Sequence, residues 1–430
     1  RFITSRQSFK DLLLAQRQPR KDESIQLSCS YNPSYDKIIL KAKQALDYFL
    51  LVGPPGTGKT SMALQYMVRE SISSNQSILL MSYTNRAVDE ICGMLTDNDI
   101  DYIRIGNEFT CDTKYKQHLL SQIIEHCPKL NVIRQRILDC KVIVGTTSTI
   151  QGKSYLFNLK HFSTVIVDEA SQILEPNIIG LLAQADSKFV LIGDYKQLPA
   201  VVQQDSAVSS VNDVSLNNIC LDNCRNSLFE RLIHIENANN RDEFTGVLRR
   251  QGRMHPDIAK FPNKMFYFKE NLQPVPLEHQ TKKQLEYSLE SIDYLDDALK
   301  AHRMVFIPSR FCKEPNISDK VNSEEAKIVT DILRRIYRFY GVKFNADKTV
   351  GVIVPYRNQI SMIRKEIEKL GIPQLEEISI DTVERYQGSQ RDVIIYSFTI
   401  QNRYQLDFLT SNCFEEDNHI IDRKLNVAIT

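Results

Sequence analysis

No apolar run in this 430-residue chain is long enough to span a bilayer, and its first residues do not form a signal-peptide pattern. The expected protein is therefore intracellular, cytoplasmic or nuclear, with no membrane partner. An excess of charge of either sign is also missing. Lys and Arg number 54 against 53 Asp and Glu, a formal net charge of +1, so no global basic field marks a nucleic-acid protein and any such site has to be a local groove. Paired cysteines are scarce. The nine (Cys29, Cys92, Cys111, Cys127, Cys140, Cys220, Cys224, Cys312 and Cys413) are odd in number and scattered, which argues for a reducing compartment. Only Cys220 and Cys224 lie close, and no second pair or His cluster completes a tetrahedral metal site, so both read as loop residues. With 42% hydrophobic and 25% charged residues the composition is that of a globular protein, too long for one core and expected to form two or three domains.

The chain does contain one unmistakable loop, Gly53-Pro54-Pro55-Gly56-Thr57-Gly58-Lys59-Thr60. An apolar run, Tyr48 to Val52, precedes it and an amphipathic run from Ser61 to Val68 follows. Strand, glycine loop and helix in that order are the setting of a phosphate-binding loop. The glycines let successive N–H groups turn inward to phosphate oxygens, and the helix aims its positive end at the same place. Lys59 is the expected ligand of the β- and γ-phosphates, and the Thr60 hydroxyl the expected Mg²⁺ ligand.

Along the chain, residues 1–34 are polar and read as a linker or stalk, with one helical pattern from Phe9 to Leu14. From residue 35 to 243 apolar strands alternate with amphipathic helices, predicting a mainly parallel sheet covered on both faces. Its strands read at 48–52, 77–82, 141–144, 163–167 and 188–192. A helical insertion is expected at about 107–139 and a polar hinge region at about 201–243, broken by a helix near Leu228 to Ile233. Residues 244–430 form a second α/β series with strands at 303–307, 350–354, 377–380 and 393–398. A helix of about 17 residues starts near Ser323, and another runs from about Asn358 to Leu370, ending at Gly371. No phosphate loop recurs there. The expected fold is α/β: two tandem doubly wound parallel-sheet domains, the first with a small helical insertion.

Two adjacent carboxylates close an apolar strand in Val165-Ile166-Val167-Asp168-Glu169. Beside a phosphate loop, Asp168 is suited to hold the Mg²⁺ hydration shell and Glu169 to orient or deprotonate the attacking water. The next strand ends in Gly193-Asp194-Tyr195-Lys196-Gln197-Leu198-Pro199, where a polar side chain can sense the γ-phosphate.

These segments assemble into a family pattern. In order along the chain stand GPPGTGKT (53–60), SYTNRAVDE (82–90), VGTTST (144–149), VIVDEAS (165–171), GDYKQLP (193–199), QGRMHP (251–256), VGVIVPYRNQ (350–359), DTVERYQGSQRDV (381–393) and RKLNVAIT (423–430). From about Tyr31 to Thr430 the chain resembles the superfamily 1 helicases of the up-frameshift and senataxin type, a group that includes the replication helicase–nuclease. The resemblance implies two RecA-like domains and an ATP- and Mg²⁺-dependent motor, monomeric, moving 5′ to 3′ on single-stranded DNA or RNA or on a tailed duplex. It also implies the role of γ-phosphate sensor for Gln197 and that of an arginine finger for Arg253, offered across an interdomain cleft when the cleft closes. Thr84, Asn85, Thr146 and Thr147 correspond to backbone-phosphate contacts of the first domain, with capping and turn formation as the competing reading. Pro355, Tyr356 and Thr382 correspond to such contacts of the second. A clamp or remodelling subunit that switches with ATP without separating strands is the alternative, and an AAA-type ring is disfavoured because the finger comes from the same chain.

Four departures from the family pattern bear on the site. Tyr35 stands where the family places an adenine-reading glutamine, and Gly252 where it places a base-stacking aromatic, so Tyr35 is expected to stack on the base with relaxed selectivity. Gln390 replaces a common glutamate at a ribose or γ-phosphate contact. The arginine that follows the last motif lies beyond Thr430, so a polypeptide ending there is expected to bind nucleotide but hydrolyse it poorly. The start at Arg1 reads as that of a fragment, with a nuclease or a small barrel as the candidate upstream domain.

Overall fold

Tyr48–Val52 is apolar at every position rather than at alternate ones, the mark of a strand covered on both faces, and it forms β1, buried throughout. The computed structural model describes residues 5–127, 129–282, 287, 289–310 and 318–430. Around β1 the first unit builds a seven-stranded sheet from β2 (Ile78–Ser82), β3 (Tyr102–Ile105), β4 (Val142–Thr146), β5 (Phe162–Val167), β6 (Ala185–Gly193) and β7 (Thr245–Val247). The strand order is β3-β4-β2-β5-β6-β1-β7, and every pairing is parallel. All carboxyl ends therefore open on one edge, where α/β sheets hold their ligands.

The second unit has a three-stranded parallel sheet in which Val350–Val354 lies between Ser379–Thr382 and Val393–Tyr396. Helices Ser323–Tyr340 and Arg357–Glu368 bury Val329, Leu333, Ile336, Ile363 and Ile367 in the same core as Val350, Val352 and Val354. The first helix is capped by Asn322, whose side chain accepts from the Glu325 N–H at 3.0 Å. A two-residue turn, Asp417 and Asn418, both with positive φ, joins the antiparallel strands Cys413–Glu416 and His419–Asp422. Both units are α/β, and the chain has the tandem RecA-like arrangement expected of it.

The structure differs from the sequence expectation in four places. The chain divides after Gln251 rather than at 243, because Thr245–Val247 adds to the first sheet beside β1; Lys196–Leu198 counts with the second unit. Residues 303–307 form no strand: Met304 and Phe306 are exposed, and of this run Ile307 packs on the second core. The expected insertion holds two short helices, Leu120–His126 and Leu130–Asp139, but β3 just ahead of it is a sheet strand the pattern hid. Pro128 and Cys312 lie outside the described residues. The remaining eight cysteines are free thiols, and among the described residues no helix is long and apolar enough to cross a membrane.

The amino-terminal stretch, expected as a linker, is instead packed on the first unit. Helix Gln7–Leu13 buries Phe9, Leu12 and Leu13, and Phe9 meets Phe189 of β6 edge-on. The Asp47 carboxylate, just ahead of β1, accepts from Arg17 at 2.8 and 2.9 Å and from Arg20 at 2.9 Å. Burial works against its charge, but the two guanidinium groups outweigh that and hold the carboxyl below its ordinary value. Asp47→Ala strands two cations and unties the segment; a loss of about 2 kcal/mol of stability is expected in urea unfolding at pH 7.

Candidate functional site

The chain leaves β1 at Val52 and turns through Gly56 and Gly58, with φ of +70° and +75°, a region open to glycine at little cost. The helix that follows starts wide: the Ala63 N–H donates to the Gly58 carbonyl, five residues back, at 3.0 Å. Thr57 ties the loop internally, its hydroxyl donating to the Pro54 carbonyl at 2.7 Å. The Lys59 ammonium donates to the Gly53 carbonyl at 2.8 Å and lies 3.7 Å from a Glu169 oxygen. Its stem occupies the space that a Cβ on Gly53 would claim.

Strand β5 delivers the partner group. The Thr60 hydroxyl donates to Asp168 Oδ2 at 2.7 Å, and the Glu169 N–H donates to Asp168 Oδ1 at 2.9 Å. Asp168 is buried. Loss of solvent, with the Glu169 charge beside it, pushes its carboxyl up to about 6 against the opposing pull of Thr60 and Lys59. Glu169 has a φ of +54°, strained for a non-glycine residue, and Gln172 Nε2 donates to its carboxylate at 3.1 Å. Between β1 and β5 the end of β6 is packed tightly: Gly193 accepts from the Gly53 N–H at 2.9 Å, and a Cβ there would meet the Ser171 nitrogen at 3.0 Å. Lys59, Thr60, Asp168 and Glu169 are thus one cluster.

The cluster fits the group the loop implies. Thr60 and Asp168 offer a hydroxyl and a carboxylate, hard oxygens of the kind Mg²⁺ takes, and a cation there favours the ionised form that burial disfavours. Among the described residues no group of three or more His, Cys, Asp and Glu could hold a metal ion.

Tyr35 is a correction. Its ring is 9% exposed, its hydroxyl donates to the Thr57 carbonyl at 2.9 Å, and its edge meets Tyr66 at 5.8 Å. It braces the phosphate loop from within the fold and offers no open face for a base. Thr84 and Thr146 cap helices, their hydroxyls accepting from Ala87 N at 3.1 Å and Thr149 N at 3.2 Å. Thr146 and Thr147 are buried, whereas Thr84 is exposed and Asn85 half-buried.

The other predicted residues lie in the second unit. Gln197 is buried, next to a residue that sequence reasoning passed over. Lys196 is wholly buried, donating to the Phe266 carbonyl and Glu270 at 3.0 Å and pairing with Glu416 at 2.8 Å, while Asn426 Nδ2 donates to its carbonyl at 2.7 Å. Arg253 is half-buried, with Nη1 donating to the Thr430 carbonyl at 3.4 Å. Met254 packs in a small core and His255 caps helix Pro256–Met265. Gln390 is exposed beyond the turn after Val383–Tyr386.

Pro355, Tyr356 and Thr382 do come together. They stand at the carboxyl ends of two adjacent parallel strands and line a cavity of about 430 Å³ with Lys320, Arg357 and Arg385. Three exposed cations against one carboxylate, Glu384, leave the cavity with a positive lining of the kind a phosphate backbone takes. Arg357 and Arg385 lie inside motifs the sequence displays, VPYRNQ and DTVERYQG, but nothing in their spacing separates a lining arginine from a solvated one.

An Asp168→Asn variant should be more stable than the wild type at pH 7, because the amide removes a buried charge. The raised folded-state value makes the wild-type acid more stable as it protonates, so the advantage, about 1–3 kcal/mol, should shrink from pH 7 towards pH 5 in metal-free thermal unfolding.

Two AAA-domain family models match the chain, one over residues 224–430 and one over 30–132 and 128–205. The DNA replication ATP-dependent helicase/nuclease JHS1 of Arabidopsis thaliana is 30% identical over 373 residues, covering 86% of this chain and 26% of that protein. A regulator of nonsense transcripts 1 homolog of Neurospora crassa is 27% identical over 419 residues, covering 89% and 34%. The chain thus spans about a quarter to a third of the length of these curated relatives. Among solved structures, the Arterivirus nonstructural protein 10 helicase aligns with 91% of this chain and 58% of its own, at 13% identity and a TM-score of 0.40, and nothing rests on so loose a likeness.

Proposed function

Since the chain belongs to the superfamily 1 helicases of the up-frameshift and senataxin type, we propose that it is an ATP-driven translocase on single-stranded nucleic acid that separates tailed duplexes. The observation that carries this reading is the Thr60–Asp168 contact at 2.7 Å, which sets a hydroxyl and a buried carboxylate side by side at the foot of a phosphate loop. The loop holds the β- and γ-phosphates through its backbone and Lys59. Thr60 and Asp168 would hold Mg²⁺, which would supply positive charge to the phosphate oxygens. Glu169 orients the attacking water and accepts its proton. Gln197 reports on the γ-phosphate, and Arg253 stabilises charge on the transferring group.

Grip on the strand comes from the basic cavity at Pro355, Tyr356 and Thr382, with Thr84 and Asn85 as contacts from the first unit. Hydroxyl, amide and guanidinium donors to phosphate hold a strand with little regard to sequence, as a stepping motor requires. DNA and RNA both satisfy that chemistry, since the choice between them turns on contacts to the 2′-hydroxyl.

In a polypeptide that continues past Thr430, ATP hydrolysis should rise severalfold on adding single-stranded DNA or RNA, and 5′-tailed duplexes should be unwound in preference to 3′-tailed ones. Hydrolysis indifferent to both strands refutes the proposal, while stimulated hydrolysis without unwinding leaves the clamp. Lys59→Ala should reduce turnover by at least about a hundredfold. Glu169→Gln should stop turnover yet keep nucleotide and strand bound, seen as a persistent complex in a filter-binding assay.

A further inference from the structure

Helix Arg403–Leu409 has no part in any motif, yet it carries two conspicuous rings. Tyr404 is 85% exposed and Phe408 47% exposed, and the two are four residues apart, hence on one face of the helix. Isolated exposed rings are ordinary, but these are tied to the basic cavity. Phe408 stacks on Tyr356, a cavity-lining residue, with ring centroids 5.3 Å apart and planes at 21°. The ammonium of Lys424 lies 4.3 Å from the centre of the Phe408 ring and 3.6 Å from Glu384, which also lines the cavity.

The helix is anchored rather than loose. The Asn402 side chain accepts from the Gln405 N–H at 3.0 Å, and Gln405 Oε1 accepts from the Asn402 N–H at 3.0 Å, a reciprocal cap. The Gln405 amide donates to the Asp319 carbonyl and the Gln401 amide to the Val321 carbonyl. Those two carbonyls flank Lys320 in sequence, so the helix is bonded to the segment that supplies one of the cavity's cations.

The stacked rings of Tyr356 and Phe408 at a cation-lined cavity, with the exposed ring of Tyr404 on the same helix face, match the two halves of a nucleotide. The cavity suits the phosphate, and an open aromatic face suits the base. We propose that helix Arg403–Leu409 is a base-stacking ledge, on which Tyr404, beside the Phe408–Tyr356 stack, takes bases of the single strand whose phosphates seat in the cavity. Every base has a π-face, so such a ledge adds grip without adding sequence preference. A protein partner would be drawn to exposed rings as well, but the adjoining Lys320, Arg357 and Arg385 favour a polyanion.

This inference rests on the proposed nucleic-acid function and is tested separately from it. The probes are fluorescent 15-mers of dT and rU and an abasic 15-mer with the same phosphates but no bases, titrated by anisotropy at low and high salt. The wild type should bind dT at least about fivefold more tightly than the abasic strand. Tyr404→Ala should lose most of that gap while binding the abasic strand as the wild type does, and the loss should persist at high salt because stacking is not ionic. Phe408→Leu, which keeps an apolar side chain against Tyr356, should show a smaller loss of the same kind. Tyr404→Ala and Phe408→Leu binding dT as tightly as the wild type overturns the ledge alone. Absence of wild-type binding to every strand overturns the nucleic-acid function and the ledge with it.

Discussion

Two carboxylates next to each other at the end of a buried strand hold their charges at a cost that a shared cation would relieve. Asp168 has lost its solvent, and Glu169 lies beside it in a strained left-handed conformation. The Thr60 hydroxyl and the Lys59 ammonium are the protein's partial answers, and neither cancels the cost. The arrangement suits a site at which a divalent cation would share the carboxylate charge and Lys59 would meet phosphate. Seen this way, the parallel sheet exists to bring β1 and β5 to the same edge, with the close-packed Gly193 between them.

The second unit repeats the rule with other chemistry. Its sheet also opens at the carboxyl ends of parallel strands, but Pro355, Tyr356 and Thr382 replace the glycine loop, and arginines replace the acids. The site of the first unit holds two adjacent acids, and the cavity of the second unit carries three cations. A net charge of +1 for the whole chain conceals this, because the basic cavity is local and the acids elsewhere balance it.

The sheets were legible in the sequence wherever burial on both faces produced an unbroken apolar run, as at Tyr48–Val52 and Val350–Val354. They were not legible at the margins. Thr245–Val247 is three residues long and half-buried, and Tyr102–Ile105 holds a buried Arg104 paired with Asp89, so neither looks apolar in a window. Residues 303–307 look apolar yet form no strand, since a composition pattern cannot tell an exposed run from a covered one. The phosphate-loop cluster was legible because its chemistry fixes residue type and spacing together. Lys196, by contrast, finds Glu270 and Glu416 far along the chain, and only tertiary structure joins them. Tyr35 was misread for a related reason: its type suits stacking on a base, and burial against Tyr66 gives the ring another task.

That task has a consequence for the nucleotide cycle. With Tyr35 bonded to Thr57, and its hydroxyl 2.8 Å from where a Cβ on Gly58 would stand, the phosphate loop is braced from within the fold. Capture then costs little ordering of the chain. The same brace acts alike on a fresh and a spent nucleotide, so by itself it drives no release.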